Sequence, residues 1–297
     1  MKKVWFVTGS SRGLGKHITE AVLLTGDNVV ATARNPERLT DLMERYPTQL
    51  LPLALDVSDR SQIHIAVETA IRHFGRIDVL VNNAGFGITG AAEAFTYEQV
   101  RSQLYVNLFA PIEVTRTVLP YMRKQRSGRI LQISSVGGRV GNAGLSIYQA
   151  AKFGLAGFSE SLRKEVDHLG IKVTSVEPGG FRTDWAGASM SFAPHVEGYE
   201  TTVDATKALL GSGKIRPIGD PKRAAKIMVE LADHPEPPMH LVLGSEAAAI
   251  LRKADESRKS EFEHWMPVTV STDHDDTEAF YETEEGKKYL TQKGIDL

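Results

Sequence analysis

The sequence predicts an α/β fold in which helices cover both faces of a parallel sheet, and three observations carry it. Lys3-Val4-Trp5-Phe6-Val7-Thr8 reads as a short buried strand that runs into the turn Gly9-Ser10-Ser11-Arg12-Gly13-Leu14-Gly15 and then a helix pattern through Ile18, Val22 and Leu23. Strand and helix patterns go on alternating, without a Pro/Gly/Ser linker, to His240-Leu241-Val242-Leu243, which reads as a final strand. Apolar residues recur at Ala151, Leu155, Phe158, Leu162, Val166 and Leu169 as on an amphipathic helix, which Gly170 ends. One domain is expected, because single α/β domains reach roughly 200–250 residues. It covers residues 1–245, with 246–297 as a helix and acidic tail of that same domain.

The first element lets backbone N–H groups and a helix N-terminus approach a pyrophosphate, with glycines where a Cβ would block contact. Its spacing, G-x-x-x-G-x-G, departs from the common G-x-G-x-x-G. The same residues satisfy G-x-S-x-G, the nucleophile elbow of serine hydrolases. An elbow on the first strand leaves too little preceding sheet for the usual oxyanion loop, and Gly15 suits close helix–strand packing, so the hydrolase reading is set aside.

Further along, a helical stretch from Leu104 to Met122 contains Pro111, which lacks the N–H that would bond the Asn107 carbonyl. A freed carbonyl needs a partner, for which a water is natural; the alternative is a plain proline kink. Tyr148 and Lys152 then stand four residues apart, on one helix face, with Ser135 upstream. A phenol near pKa ~10 is a poor proton shuttle at neutral pH. A cation roughly 4 Å away, at an effective dielectric of about 20, contributes on the order of 4 kcal/mol, enough to lower that pKa by about three units. A Tyr and a Lys at this spacing are also common surface neighbours.

Between Pro178-Gly179 and a helix near Thr201 lies an irregular, apolar stretch, about 184–200, holding Trp185, Met190, Phe192 and Tyr199 between Gly187 and Gly198. It is long enough to be a lid or binding loop. Phe86, Asn142 and Leu145 are further candidates to line the pocket, and a largely apolar ketone or secondary alcohol is the predicted substrate. Docking of the loop on the body is the other use for these aromatics. Beyond the last strand, Gly244 to about Trp265 reads as a terminal helix, and the acidic segment Asp273 to Glu285 as a candidate for disorder. Asp273, Asp275 and Asp276 read as a solvated acidic run, so no metal is expected.

Composition limits the function classes. The 297 residues are 41% hydrophobic and 24% charged with net charge −2, which allows a large core and provides no global attraction to nucleic acid. No apolar run approaches the ~18 residues of a membrane span, and Lys2 and Lys3 lead into a strand rather than a signal-peptide core, so no membrane partner and a cytoplasmic location are expected. The absence of cysteine excludes disulfides and thiol catalysis.

Thr8-Gly9-x-x-x-Gly13-x-Gly15, Asn82-Asn83-Ala84-Gly85, Asn107, Ser135, Tyr148-x-x-x-Lys152 and Pro178-Gly179 followed by Thr183 resemble the ordered motif set of the short-chain dehydrogenase/reductase family, from position 3 to about 245. The resemblance implies a Rossmann-type doubly wound parallel sheet of about seven strands. It implies that Tyr148 is the acid or base at the substrate oxygen and that Ser135 hydrogen-bonds that oxygen. Lys152 would depress the Tyr148 pKa and hold the nicotinamide ribose, with Asn107 in a water relay to Lys152. Cofactor contacts are implied at Gly9, Ser11, Arg12, Gly13, Leu14, Gly15, Arg34, Asp56, Val57, Asn83, Ala84, Gly85, Pro178, Gly179 and Thr183. The stretches V-V-A-T-A-R-N-P-E-R-L and L-V-L-G-S-E-A are similar to the hydroxysteroid-dehydrogenase-like and carbonyl reductase branch, and a homodimer or homotetramer is the family expectation.

The cofactor is read at the second strand, Asn28 to Ala33, whose tip carries Arg34 and no carboxylate. An acid there would bind the ribose 2′-hydroxyl of NAD(H). Arg12 can converge on the same point, and two guanidinium groups suit a 2′-phosphate, so NADP(H) is expected over NAD(H). Two merely solvated arginines are the bland alternative. An NADP(H)-binding sensor or scaffold without turnover is the rival function, disfavoured because all four residues of the acid–base set are present.

Overall fold

The computed structural model describes residues 2–183, 189–211, 217–274 and 279–295. They form two compact units, Met1–Ile250 and Leu251–Leu297.

In the first unit, β1 (Val4–Thr8), α1 (Gly13–Leu24), β2 (Asn28–Ala33), α2 (Thr40–Arg45), β3 (Leu50–Ala54), α3 (Arg60–Phe74) and β4 (Val79–Asn82) follow in sequence. The short strand β5 (Gly87–Thr89) precedes α4 (Tyr97–Leu104) and α5 (Ala110–Gln125). Next come β6 (Gly128–Ile133), α6 (Ser146–Val166), β7 (Ile171–Pro178), β8 (Met190–Phe192), α7 (Ala205–Gly211), α8 (Pro221–Asp233), β9 (His240–Leu243) and the start of α9 (Ser245–Val270). Seven strands make one parallel sheet in the order β3-β2-β1-β4-β6-β7-β9, the doubly wound arrangement that the sequence predicts. The order reverses between β1 and β4, and open α/β sheets bind ligands outside the strand ends at such a point.

Side chains leave alternate faces of each strand, and here both faces are buried, which is why the strands read as continuous apolar runs. Phe6, Val30, Leu80 and Ile130 pack with Ile63 and Val67 of α3 and Val114, Val118 and Met122 of α5. Trp5, Val7, Val29, Val81 and Leu131 pack on the other side with Ile18 and Val22 of α1 and Met228 of α8. Each such side chain contributes about 1.5–3 kcal/mol on leaving water. Local chemistry sets the helix ends. Asp59 accepts from the Ser61 N–H at 2.8 Å to start α3, Gly75 ends it in the left-handed region at φ 77°, and Asp220 caps α8, whose first residue is Pro221.

Three elements differ from the sequence prediction. The helix predicted from Leu104 to Met122 is α4 and α5 joined by a π-turn, Tyr105–Phe109, in which the Ala110 N–H bonds the Tyr105 carbonyl. Pro111 has no N–H for the regular ladder, and the widened turn absorbs the defect. The stretch predicted as irregular after Gly179 contains β8, which pairs in parallel with β5, Gly87 opposite Met190 and Thr89 opposite Phe192. A three-residue strand whose partner lies about a hundred residues away leaves no period to read. Trp185 and Gly187 of that stretch lie outside the described residues.

The third difference is in the tail, where the acidic segment Asp273 to Glu285 reads from the sequence as a candidate for disorder. Residues 251–297 are a separate compact unit, and Phe280–Glu282 and α10 (Glu284–Gln292) in it are helical. Thr283 accepts from the Gly286 N–H at 2.9 Å, Glu284 and Glu285 fill the first turn, and the Phe280 and Tyr289 rings meet edge-on at 5.7 Å. A capped helix start, with acids where the dipole favours them, outweighs the acidic composition. Asp273 is exposed, and Asp275 and Asp276 lie outside the described residues.

Candidate active site

The acid–base set is built by β6 and α6. Ser135 leaves the end of β6 and caps the short turn Val136–Gly138, its Oγ accepting the Gly137 N–H at 3.0 Å. Tyr148 and Lys152 lie one turn apart on the buried face of α6, 6% and 5% exposed. The Tyr148 hydroxyl hydrogen-bonds Ser135, and the Lys152 Nζ donates to the Ile133 carbonyl at 2.8 Å, 5.8 Å from the centre of the Tyr148 ring. Ser135, Tyr148 and Lys152 therefore converge.

Their protonation differs from the sequence prediction. Burial pushes the Tyr148 phenol up to about 12, against the opposing effect of its bond to Ser135, and burial pushes Lys152 down to about 8. Desolvation dominates both groups, and the ammonium is tethered to Ile133 rather than to the phenol. At neutral pH, Tyr148 is consequently a phenol, the form that gives a proton.

Asn107 sits in the π-turn and is fully buried. Its Nδ2 donates to the Phe86 and Gln103 carbonyls, each at 2.9 Å, while its Oδ1 is buried with no hydrogen-bond partner among the described residues. A Cβ on Gly85 would come within 2.8 Å of that oxygen, so glycine is what lets the Asn83–Gly85 segment pass. The side chain of Asn107 is thus committed to the strand-end segment.

The glycine turn faces this constellation across the switch point. Gly9 has φ 71°, and a Cβ there would lie 3.0 Å from the Ala84 Cα. A Cβ on Gly15 would run into the Gly9 carbonyl and the Asn83 side-chain amide. Thr8 Oγ1 accepts from the backbone N–H groups of Asn83 and Ala84 at 2.9 and 3.0 Å, and Asn83 Nδ2 returns bonds to the Thr8 and Gly9 carbonyls at 2.9 and 3.1 Å. Arg12 precedes α1 without capping it through its side chain, and the first turn, Gly13, Leu14 and Gly15, holds no acid. Its N–H groups are open to an anion, in a cradle any side chain would fill, which fits a pyrophosphate.

Other predicted cofactor residues surround this cradle. Ser11 and Leu14 are half-buried on it, and Thr183 stands opposite Gly13, 3.7 Å from where a Cβ would be. Asp56 Oδ1 is used by the Ser58 N–H and hydroxyl at 2.9 and 2.7 Å, with Val57 buried beside it. Pro178 ends β7, and the Gly179 N–H bonds the Leu243 carbonyl at 2.9 Å. Arg12 is half-buried and Arg34 exposed, and neither guanidinium bonds a described residue.

On the substrate side, the Asn142–Leu145 loop is tied down by Gln149, which sequence reasoning missed. Its Oε1 accepts the Asn142 N–H at 2.7 Å and its Nε2 donates to the Val140 carbonyl at 2.8 Å. Gly144 passes against Thr89 and Val203, so the loop rests on β5 and the turn before α7. Phe86 is half-buried above Asn107, and Phe192 on β8 is 47% exposed. Gln103, also missed, accepts the Ile88 N–H at 2.5 Å and joins α4 to β5. Gln149 sits one residue after Tyr148, but nothing in a single sequence marks a glutamine that binds backbone.

A nucleotide cradle at a sheet switch point, facing a buried Ser–Tyr–Lys set, defines an oxidoreductase site on a dinucleotide-binding fold. A family model described as short chain dehydrogenase matches residues 3–192. Oxidoreductase BOA17 of Botryotinia fuckeliana (strain B05.10) is 43% identical over 273 residues, which are 92% of this chain and 100% of that protein. The solved structure of a short-chain dehydrogenase from Streptomyces avermitilis covers 92% of this chain and 100% of its own, with a TM-score of 0.88 at 38% identity. A metagenomic short-chain oxidoreductase solved in complex with NADP covers 81% of this chain and 96% of its own, with a TM-score of 0.65 and 27% identity. The chain belongs to the short-chain dehydrogenase family and is an oxidoreductase. Among the described residues, no helix is long and apolar enough to cross a membrane.

Proposed function

We propose that this protein interconverts a ketone or aldehyde and an alcohol with NADP(H), on a largely apolar substrate. The observation that carries the reading is the buried Tyr148 hydroxyl bonded to Ser135 one helical turn from Lys152. A bound nicotinamide supplies or accepts the hydride at the substrate carbon. In reduction, Tyr148 gives its proton to the carbonyl oxygen while Ser135 donates a hydrogen bond to that oxygen and orients it. Lys152, charged below about pH 8 and anchored on Ile133, stabilises the phenolate left behind. In oxidation Tyr148 must first give up its proton to solvent, and the phenolate so formed takes the alcohol proton. Asn107 then belongs to a water relay behind Lys152.

Support for NADP(H) comes from Arg12 and Arg34, whose guanidinium groups bond none of the described residues, with no acid at the end of β2. The metagenomic short-chain oxidoreductase was solved with NADP, which accords with this reading, and NAD(H) is the second reading. Phe86, Asn142, Leu145, Trp185 and Phe192 are assigned to the substrate side. Exposed Tyr97, Phe109 and Phe153 make the helices around Asn107 and after Tyr148 the contact of a homodimer or homotetramer, in the cytoplasm.

Loss of NADPH absorbance with a panel of aromatic, aliphatic and steroidal ketones, beside NADH and beside Tyr148→Phe, tests the reading. Turnover with NADPH that disappears in the variant is the expected result. NADPH binding with no carbonyl reduced, and an unchanged variant, would replace the enzyme with a sensor.

A further inference from the structure

Glu177, one residue before Pro178 on β7, has no exposed surface and takes no part in the site described above. Its Oε1 pairs with His240 Nδ1 at 2.6 Å and accepts from the Ser175 hydroxyl at 3.2 Å, while its Oε2 faces Arg139 Nη1 at 3.5 Å. On the far side of the ring, His240 Nε2 lies 3.2 Å from Glu160 of α6. A carboxylate held wholly out of water is strongly unfavourable unless cations and donors surround it. Arg139 is the nearest guanidinium that does so, and Arg139 closes the turn that Ser135 opens, its N–H bonding the Val136 carbonyl at 3.0 Å.

That turn is short and rich in glycine. It contains Gly137 and Gly138, the residues with the widest backbone freedom, and Gly138 lies against Ser134 Oγ and the Lys152 carbonyl, where a side chain would not fit. Its own hydrogen bonds, from the Gly138 N–H to the Ser135 carbonyl and from the Val140 N–H to the Val136 carbonyl, give it shape, and the Arg139–Glu177 contact ties that shape to β7. We propose that Arg139 and Glu177 are positioning residues, an ionic tether from the end of β7 that holds the Ser135 turn against Tyr148 for proton transfer. His240 and Glu160 extend the tether to α6, the helix that carries Tyr148 and Lys152. One buried carboxylate thereby ties together the three elements that supply the site. The inference rests on the oxidoreductase reading for its kinetic consequence and on geometry alone for its structural one.

The test uses the full chain with Arg139→Met, Arg139→Lys, Glu177→Gln and the double variant Arg139→Met/Glu177→Gln. Amide exchange over residues 136–141 is followed in each, which needs no turnover. Arg139→Met is expected to speed that exchange tenfold or more and to lower kcat tenfold or more, with KM for NADPH within threefold. Arg139→Lys, which keeps the charge and loses the fork, should fall between. Ser135 lowers the Tyr148 pKa through its hydrogen bond. With Lys152 one helical turn away from the phenol, loosening the turn should therefore also move the limb of the pH profile for alcohol oxidation to higher pH. The double variant removes the stranded carboxylate and should recover Tm without recovering kcat or the slow exchange.

Unchanged exchange in Arg139→Met, or recovery of kcat together with Tm in the double variant, would overturn the tether. A wild-type protein that reduces no carbonyl, yet shows the exchange response, would instead sink the reductase reading and leave the tether standing.

Discussion

Thr8 and Asn83, 75 residues apart in the chain, hold each other at both ends: the Thr8 hydroxyl oxygen accepts the Asn83 N–H at 2.9 Å, and the Asn83 side-chain amide donates to the Thr8 carbonyl at 2.9 Å. The pair welds the glycine turn after β1 to the segment after β4, so the two sides of the nucleotide cradle move as one. Thr8→Val keeps the shape and removes the acceptor from two backbone N–H groups. It should cost about 2 kcal/mol in urea unfolding. NADPH affinity should fall about tenfold, since 1.4 kcal/mol is a factor of ten. Calorimetric titration that finds wild-type affinity in a folded variant would contradict the weld.

Tyr148→Phe removes the hydroxyl that is bonded to Ser135 and gives the proton in the proposed reduction. Turnover should fall at least about a hundredfold, the scale of general acid catalysis, with cofactor affinity nearly unchanged. Single-turnover kinetics with saturating NADPH isolate the chemical step.

Lys152 makes stability depend on pH in a stated direction. Its folded pKa, about 8, lies below its ordinary value of 10.5, so between these the unfolded chain holds more protons. Stability should rise with pH through that window, by on the order of 3 kcal/mol at the limit. Tyr148 works the other way only above pH 10, its folded pKa being raised to about 12. Urea unfolding of the protein without added nucleotide, at pH 7 and at pH 9.5, should show the rise, and Lys152→Met should lose it.

Arg12→Ser and Arg34→Ser should each weaken NADPH binding by about 10- to 100-fold, the worth of one charge-assisted hydrogen-bonding group, while NADH binding stays within about twofold. Equal losses for both nucleotides would mean that the guanidinium groups do not meet the 2′-phosphate.

Thr283→Ala removes the cap of α10 and should cost that helix about 1 kcal/mol. Amide exchange of residues 284–292 should quicken while residues 2–250 are unaffected, because the cap acts within the second unit.

The sequence by itself determined the sheet, the glycine turn and the Ser135–Tyr148–Lys152 set, because each is written in local terms. Apolar runs mark strands buried on both faces, a period near 3.6 marks α6, and a pitch of four puts Tyr148 and Lys152 together. Tertiary structure alone decided the rest. Whether Lys152 reaches the phenol or the Ile133 carbonyl depends on where β6 ends, and the upward shift of Tyr148 depends on how completely its neighbours exclude water. The β5–β8 pairing, the Gln149 clasp on Asn142 and the burial of Glu177 beside Arg139 likewise join residues far apart in the chain or unmarked by any period. Desolvation and long-range pairing are properties of the packed whole, and no window of residues carries them.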